Sequence, residues 1–145
     1  MVIPASNGHI LDLLVDGLRT QDVDELAAIE LEPEQALIQS YNASMPHCFT
    51  ILASGYPCAM FGATAPGIPW MLGTDRMLEI PRDLMVQGRY WIDYLNLLYP
   101  FLQNHVAVNN TVSFLWLSRM GFTFHEELLV NRTLFRRFTR GPSPE

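Results

Sequence analysis

The sequence predicts a mixed α/β or α+β fold rather than a helix bundle, and three observations carry that prediction. Short β-rich runs alternate with amphipathic helical stretches along the 145 residues. The last third reads strand, Asn-Asn-Thr turn, short helix, Gly-Phe, strand, from His105 to Glu127. A content of 49% hydrophobic and 17% charged residues suits one compact domain with a real core, whose surface must draw heavily on neutral polar and apolar atoms.

Val2 and Ile3 start a strand that Pro4 ends. Ser6 or Asn7 can N-cap a helix whose apolar stripe is Ile10, Leu13, Leu14 and Leu18. Asp22 is placed to cap a second helical stretch carrying Val23, Leu26, Ala27 and Ile29. Pro33 sits at the first turn of a third, with Ala36, Leu37 and Tyr41. Two β runs, Cys48 to Ala53 and Cys58 to Ala63, flank Ser54-Gly55-Tyr56-Pro57 and read as a hairpin. A loop, Ala65 to Pro69, leads to a short strand, Trp70 to Leu72. The longest helix starts near Glu79-Ile80-Pro81, carries Leu84, Met85, Trp91, Ile92, Leu95 and Leu98, and stops before Pro100. A strand from His105 to Val108, a helix from Val112 to Met120 and a hairpin (Phe122 to Val130, Leu134 to Thr139) complete the order β-α-α-α-β-β-β-α-β-α-β-β. The domain is expected over residues 1–140, and Gly141 to Glu145 as a loose tail.

A net charge of −6 argues against nucleic-acid backbone binding as the main task. Residues 12 to 34 hold Asp12, Asp16, Asp22, Asp24, Glu25, Glu30, Glu32 and Glu34 against Arg19 alone, while the C-terminal part carries Arg132, Arg136, Arg137 and Arg140. That polarity reads as two solvated faces, or as a device that orients the protein on a partner. Cys48 and Cys58 read as buried free thiols, and the scattered histidines suggest no metal site. No apolar run reaches the ~20 residues of a membrane span, and Met-Val-Ile-Pro-Ala-Ser-Asn has no signal-peptide pattern. A cytoplasmic protein that binds neither nucleic acid nor membrane is the expectation.

The stretch Asn110 to Phe122, with Asn110, Ser113 and Gly121-Phe122 in matching places, resembles the closing segment of GCN5-related N-acetyltransferases (GNAT), and the element order resembles that family over residues 1 to 139. The resemblance implies a curved mixed sheet of six to seven strands with helices on both faces. Strands four and five would splay near Leu72 and Val108 to admit acetyl-CoA or CoA. That parting within a sheet is the geometric premise of the reading: strands paired along their whole length, or lying in different sheets, would remove both cleft and kinship. Residues Leu72, Gly73, Thr74, Arg82, Arg89, Asn110, Ser113 and Trp116 stand where the cofactor would lie, and Asp75 or Glu79 where a general base would act.

A narrower resemblance is to a small family of tailed-phage proteins that includes an internal virion or virion-assembly protein of short-tailed coliphages. Its matching pieces are Gly55-Tyr-Pro57, Trp70-Met-Leu-Gly-Thr-Asp75, Tyr99-Pro100, Asn110-Thr111 and Phe124-His-Glu-Glu127, followed by Phe135 and Phe138. It implies a role in virion assembly or host interaction, in the host cytoplasm during infection or in the virion. The partner would be a host or virion protein, or a second copy of the chain.

Two departures from the GNAT pattern stand out. The diphosphate-binding loop of active members is Gly-rich, because unhindered amides at a helix N-terminus suit an anion. Here the place is held by Gly73-Thr-Asp-Arg-Met-Leu-Glu-Ile-Pro-Arg82, where Pro81 lacks an N–H and Asp75, Glu79 and Asp83 add negative charge; Arg76, Arg82 and Arg89 are the compensating cations. The tyrosine that protonates the leaving thiolate in many members is replaced by Leu117, beside Trp116. The sequence therefore reads as a GNAT-fold protein with an altered or vestigial acyl-CoA site. The alternative is a working N-acetyltransferase acting on a host protein or small amine. His125 and Glu127 share a strand face, as a proton-relay pair or as a solvated or subunit-contact surface. Trp70, Trp91, Trp116, Phe114, Phe122 and Phe124 read as core.

Overall fold

The computed structural model describes residues 1–142. The chain order is β1 (Val2–Pro4), α1 (Asn7–Asp16), α2 (Thr20–Ala28), α3 (Pro33–Ser44), β2 (Cys48–Ala53), β3 (Tyr56–Thr64), β4 (Ile68–Gly73), a 3-10 turn (Asp75–Glu79), α4 (Pro81–Leu98), β5 (Leu102–Ala107), α5 (Thr111–Arg119), β6 (Thr123–Val130) and β7 (Thr133–Arg140). This is the predicted order with the 3-10 turn added. Of the tail expected from Gly141, residues 143–145 lie outside the described residues.

Local chemistry explains most boundaries. Ser54 (φ 51°) and Gly55 (φ 79°) form a two-residue turn with both φ positive, whose twist suits the β2–β3 hairpin. Asn131 (φ 45°) and Arg132 (φ 69°) do the same between β6 and β7. Asn110 N-caps α5, its side chain accepting from the Ser113 N–H at 3.3 Å. Asp22 does not cap α2. The helix starts at Thr20 behind Arg19, which frees the Asp22 carboxylate for longer-range partners.

The strands form two antiparallel sheets, β1-β2-β3-β4 and β5-β7-β6, not one continuous curved sheet. Between β4 and β5 the chain makes two hydrogen bonds: Gln103 N–H to Gly67 O at 2.9 Å and Asn104 Nδ2 to Pro69 O at 2.6 Å. Both lie at the strands' N-terminal ends, and no ladder continues towards Gly73 and Ala107. The expected parting has thus gone to full separation, which corrects the single-sheet expectation. The expectation that such a separation would remove the cleft also fails, because the gap between the sheets remains open as the cavity described below.

Helices cover both faces of the first sheet. Alternate residues of β3 point to opposite sides. Met60 packs with Leu13 of α1, Leu26 of α2 and Leu37 of α3. Phe61 packs with Phe49 and, at 5.7 Å between ring centroids, with Trp91 of α4. Leu13, Leu37 and Met60 are fully buried, each contributing roughly 1.5–3 kcal/mol by removal from water. The second sheet joins the Phe61 core through Phe122, Phe138, Leu102 and Val106, so one apolar mass spans the two sheets.

Pairing in the second sheet corrects one further expectation. The β6–β7 register slips between Phe124 and Glu127, so His125 and Glu126 together oppose Arg137. The bulge breaks the alternation that would have set His125 beside Glu127. His125 Nε2 lies 2.7 Å from Thr139 Oγ1, Glu127 pairs with Arg136 at 2.7 Å and Glu126 with Arg137 at 2.5 Å. The C-terminal arginines are therefore mostly spent inside the fold: Arg140 bonds Asp93, Asn96 and the Met120 carbonyl.

Candidate functional site

The gap between β4 and β5 opens a cavity of about 490 Å³, lined mainly by apolar side chains. Leu72 and Met71 of β4, Val106 of β5, Leu84 and Ile92 of α4, and Trp116 and Leu117 of α5 stand in its wall. Its polar lining is sparse and includes Arg19, Asp22, Glu25, Asp83, His105 and Ser113.

Helix α2 bridges the mouth of this gap. Asp22 and Glu25, three residues apart, lie on one helical face, and each holds a different strand. Asp22 Oδ2 accepts the Gly73 N–H at 3.0 Å and the Arg19 N–H accompanies it by donating to Gly73 O at 2.8 Å, so both polar groups of the last β4 residue are used. Arg19 grips Asp22 with two bonds of 2.9 Å, both side chains buried. Glu25 accepts the Ala107 N–H of β5 at 2.7 Å and Asn110 Nδ2 at 2.9 Å. Burial, partly offset by those two bonds, raises the Glu25 carboxyl above the usual range; Asp22 raises it further and Arg19 opposes. The strand ends are satisfied by a helix instead of by each other, which is why the ladder stops.

The residues expected from the sequence divide cleanly. Leu72, Ser113 and Trp116 line the cavity. Gly73 and Thr74 are buried at the end of β4, where Thr74 Oγ1 donates to Cys58 O at 3.1 Å and accepts from the Arg76 N–H at 3.3 Å. Asn110 caps α5 and braces Glu25. Asp75 and Glu79 lie on the exposed 3-10 turn, outside the cavity wall. Of the three arginines, Arg76 is held by Asp16 at 2.5 Å and lies over the Tyr56 ring at 4.3 Å, and Arg89 donates to the Arg119 carbonyl at 2.5 Å. Arg82, in the exposed first turn of α4, has no such bond among the described residues. Trp116 donates to Leu84 O at 3.1 Å and packs so tightly on Gly88 that a Cβ there would sit 2.8 Å from its ring. Leu117 is buried, and no tyrosine stands in the cavity wall.

Sequence reasoning placed Arg19 and Glu25 in an acidic, solvated run and read Asp22 as a helix cap, missing what all three hold. The available signal was positional: Asp22 lies one helical turn before the buried Leu26, and Glu25 lies three residues after Asp22 on the same side of the helix. A carboxylate on such a face needs a partner.

Comparison with solved structures now bears on this geometry. The spermidine N-acetyltransferase of Vibrio cholerae, in complex with CoA and spermine, superposes with a TM-score of 0.66 at 14% identity, over 97% of this chain and 94% of that one. A GNAT-family acetyltransferase from Streptococcus pneumoniae gives 0.63 at 13% identity, over 97% and 98%. The fold is that of the GNAT acetyltransferases. The ribosomal-protein-alanine N-acetyltransferase of Brucella melitensis matches equally fully, with a TM-score of 0.65 at 10% identity over 98% and 99%. No family model matches the sequence, and no curated protein does.

Within the GNAT fold, the apolar lining of the cavity suits an acyl group and the methylene segments of a thioester arm. For a diphosphate, the first turn of α4 offers the Arg82 side chain and the unpaired N-terminal amides that follow Pro81, set against Asp83 and Glu79. Among the described residues no group of three or more His, Cys, Asp or Glu is placed to hold a metal ion, and no helix is long and apolar enough to cross a membrane.

Proposed function

We propose that the chain is an acyl-CoA-dependent N-acyltransferase with a reduced anion grip. The observation that supports this best is the open apolar cavity between the splayed β4 and β5. Acetyl-CoA supplies an activated acyl group as a thioester. Leu72, Trp116 and Ser113 line the channel for its arm, and Arg82 faces its phosphates from the first turn of α4. The wall of Leu84, Ile92 and Leu117 excludes water from the acyl group, which strengthens every electrostatic contact there. Gly73, Thr74, Asn110 and Arg89 act indirectly in this reading, by fixing the strand end and the helices around the channel. The acceptor is a host protein or a small amine, met in the cytoplasm.

A second reading keeps the fold without the reaction, as a phage protein of virion assembly or host interaction that binds a host or virion protein, or its own copy. Leu117 in place of a proton donor, Trp116 wedged on Gly88, and the commitment of Arg76 and Arg89 to other partners favour it.

Thermal-shift titration with acetyl-CoA, CoA and a desphospho analogue separates the two. Ligand at 100 times its dissociation constant stabilises the folded state by about 2.7 kcal/mol, a rise of several degrees in Tm. No shift at millimolar acetyl-CoA, with the protein recovered in purified virions, establishes the second reading instead.

A further inference from the structure

A second recess lies against the first. It is an open groove of about 600 Å³ between α2 and the turns that follow β5 and β6, lined by Asp24, Glu25, Asn109, Asn110, Asn131 and small or neutral residues, with no basic side chain. Glu25 is the one residue that lines both this groove and the apolar cavity. The groove is rigid where it matters. Asn131 Nδ2 bonds the Ala28 carbonyl at 2.7 Å, and Asn110 is tied to both Glu25 and Ser113.

We infer that Glu25 is the catalytic base of the transfer, taking the proton of a cationic primary amine that enters through this polar groove. The inference rests on the acyltransferase reading and adds the acceptor's route and its class. Each Glu25 oxygen accepts one hydrogen bond within the fold, which leaves lone pairs for a substrate N–H. The two bonds fix the carboxylate at the junction of the recesses, where an amine from one side meets an acyl group from the other. Competing acids fit less well. Asp22 is saturated by Arg19 and Gly73 and lines only the cavity. Asp75 and Glu79 line neither recess, and Asp83 and His105 line only the cavity.

The step balances as follows. The ammonium gives a proton to the Glu25 carboxylate, and the freed nitrogen lone pair forms a C–N bond to the thioester carbonyl carbon. The C–S bond then breaks with its electron pair on sulfur. The nitrogen's second proton passes through solvent to the leaving thiolate, and Glu25 returns to carboxylate by releasing the first proton to bulk water. An ammonium and a thioester thus leave an amide, a thiol and one solvent proton. Burial raises the Glu25 carboxyl towards the pH at which such a base works best. The charged groups around it are Asp22 and Arg19 on its own side, Asp24 in the groove and His105 on β5.

The test is Glu25→Gln, read in three ways: acetyl-CoA thermal shift, thiol release with a panel of polyamines, amino sugars and peptide amines, and carbon-13 NMR titration of the wild-type glutamate carboxyls. The expected result is an unchanged acetyl-CoA shift, kcat lowered about 100-fold, loss of the acidic limb of the pH profile, and a wild-type glutamate resonance titrating above the others that Gln removes. An acetyl-CoA shift with wild-type kcat and an intact acidic limb in the variant overturns the inference while leaving the acyltransferase reading standing. So does wild-type protein that binds acetyl-CoA yet acetylates no amine in the panel. Absence of any acetyl-CoA shift overturns both. If the Gln variant does not fold, Glu25→Asp replaces it. A lowered kcat at unchanged KM supports the base, and wild-type kcat refutes it.

Discussion

The Asp22 carboxylate accepts the Gly73 N–H at 3.0 Å while held by two 2.9 Å bonds from Arg19. This three-way contact joins helix α2 to the end of β4, and it is buried. Asp22→Ala would strand the Arg19 guanidinium without its partner and leave Gly73 N–H unpaired. Losing one member of a buried pair costs about 3–5 kcal/mol. Urea unfolding should show a lower midpoint at unchanged slope; a change below 1 kcal/mol would mean that the contact is not holding α2 in place.

Gly88 is where α4 and α5 touch. A Cβ there would stand 2.8 Å from the Trp116 ring and 2.9 Å from Met120 Sδ. Alanine gains up to about 1 kcal/mol of helix propensity, but forcing atoms into a filled contact costs about 1–3 kcal/mol. Gly88→Ala is therefore expected to lower Tm, and to weaken the acetyl-CoA shift because Trp116 lines the channel. A raised Tm refutes the tight contact.

Burial pushes the Cys48 thiol up to about 12 and the Cys58 thiol up to about 11. At pH 8 neither should react with a thiol reagent in the folded protein, since the thiolate is the nucleophile. Labelling should become complete only in denaturant. Fast labelling in buffer contradicts this burial.

Glu25 links stability to pH. Its carboxyl is raised in the fold by burial first, so folding favours the protonated form. That contribution is fully present below the unfolded carboxyl value near 4.3 and is lost as pH rises through the folded value. The stability of wild type relative to Glu25→Gln should fall as pH rises from about 4.3 through the raised folded value, as compared by paired urea titrations. A difference that grows with pH reverses the sign and refutes the assignment.

Arg82, in the first turn of α4, has no ion-pair partner among the described residues. Arg82→Ala should leave the unfolding free energy of the free protein within about 0.5 kcal/mol of wild type, as exposed surface changes do, while removing most of the acetyl-CoA shift. An unaltered shift places the diphosphate elsewhere.

Element order and the two hairpins were legible because they rest on local chemistry. Ser54-Gly55 and Asn131-Arg132 act on their immediate neighbours. The aromatic core was legible in part. Of the six aromatics read as core only Phe122 is buried, and Trp70, Trp91, Trp116 and Phe124 are half-buried against the core. The buried Phe138 that meets Phe122 edge to face at 5.1 Å was not among them. The 3-10 turn and the β6 bulge were not, since neither leaves a periodic trace in the sequence.

The amino-acid sequence by itself determined a GNAT-like succession of strands and helices, Leu117 in place of a tyrosine, and a loop poor in glycine before α4. Tertiary structure alone decided that Asp22 reaches Gly73 across 51 residues and Glu25 reaches Ala107 across 82. The reason is physical. Side chains three apart on a helix show only that they share a face, whereas the partner of that face depends on how distant segments pack. Here the ends of two strands lost each other and found the same helix.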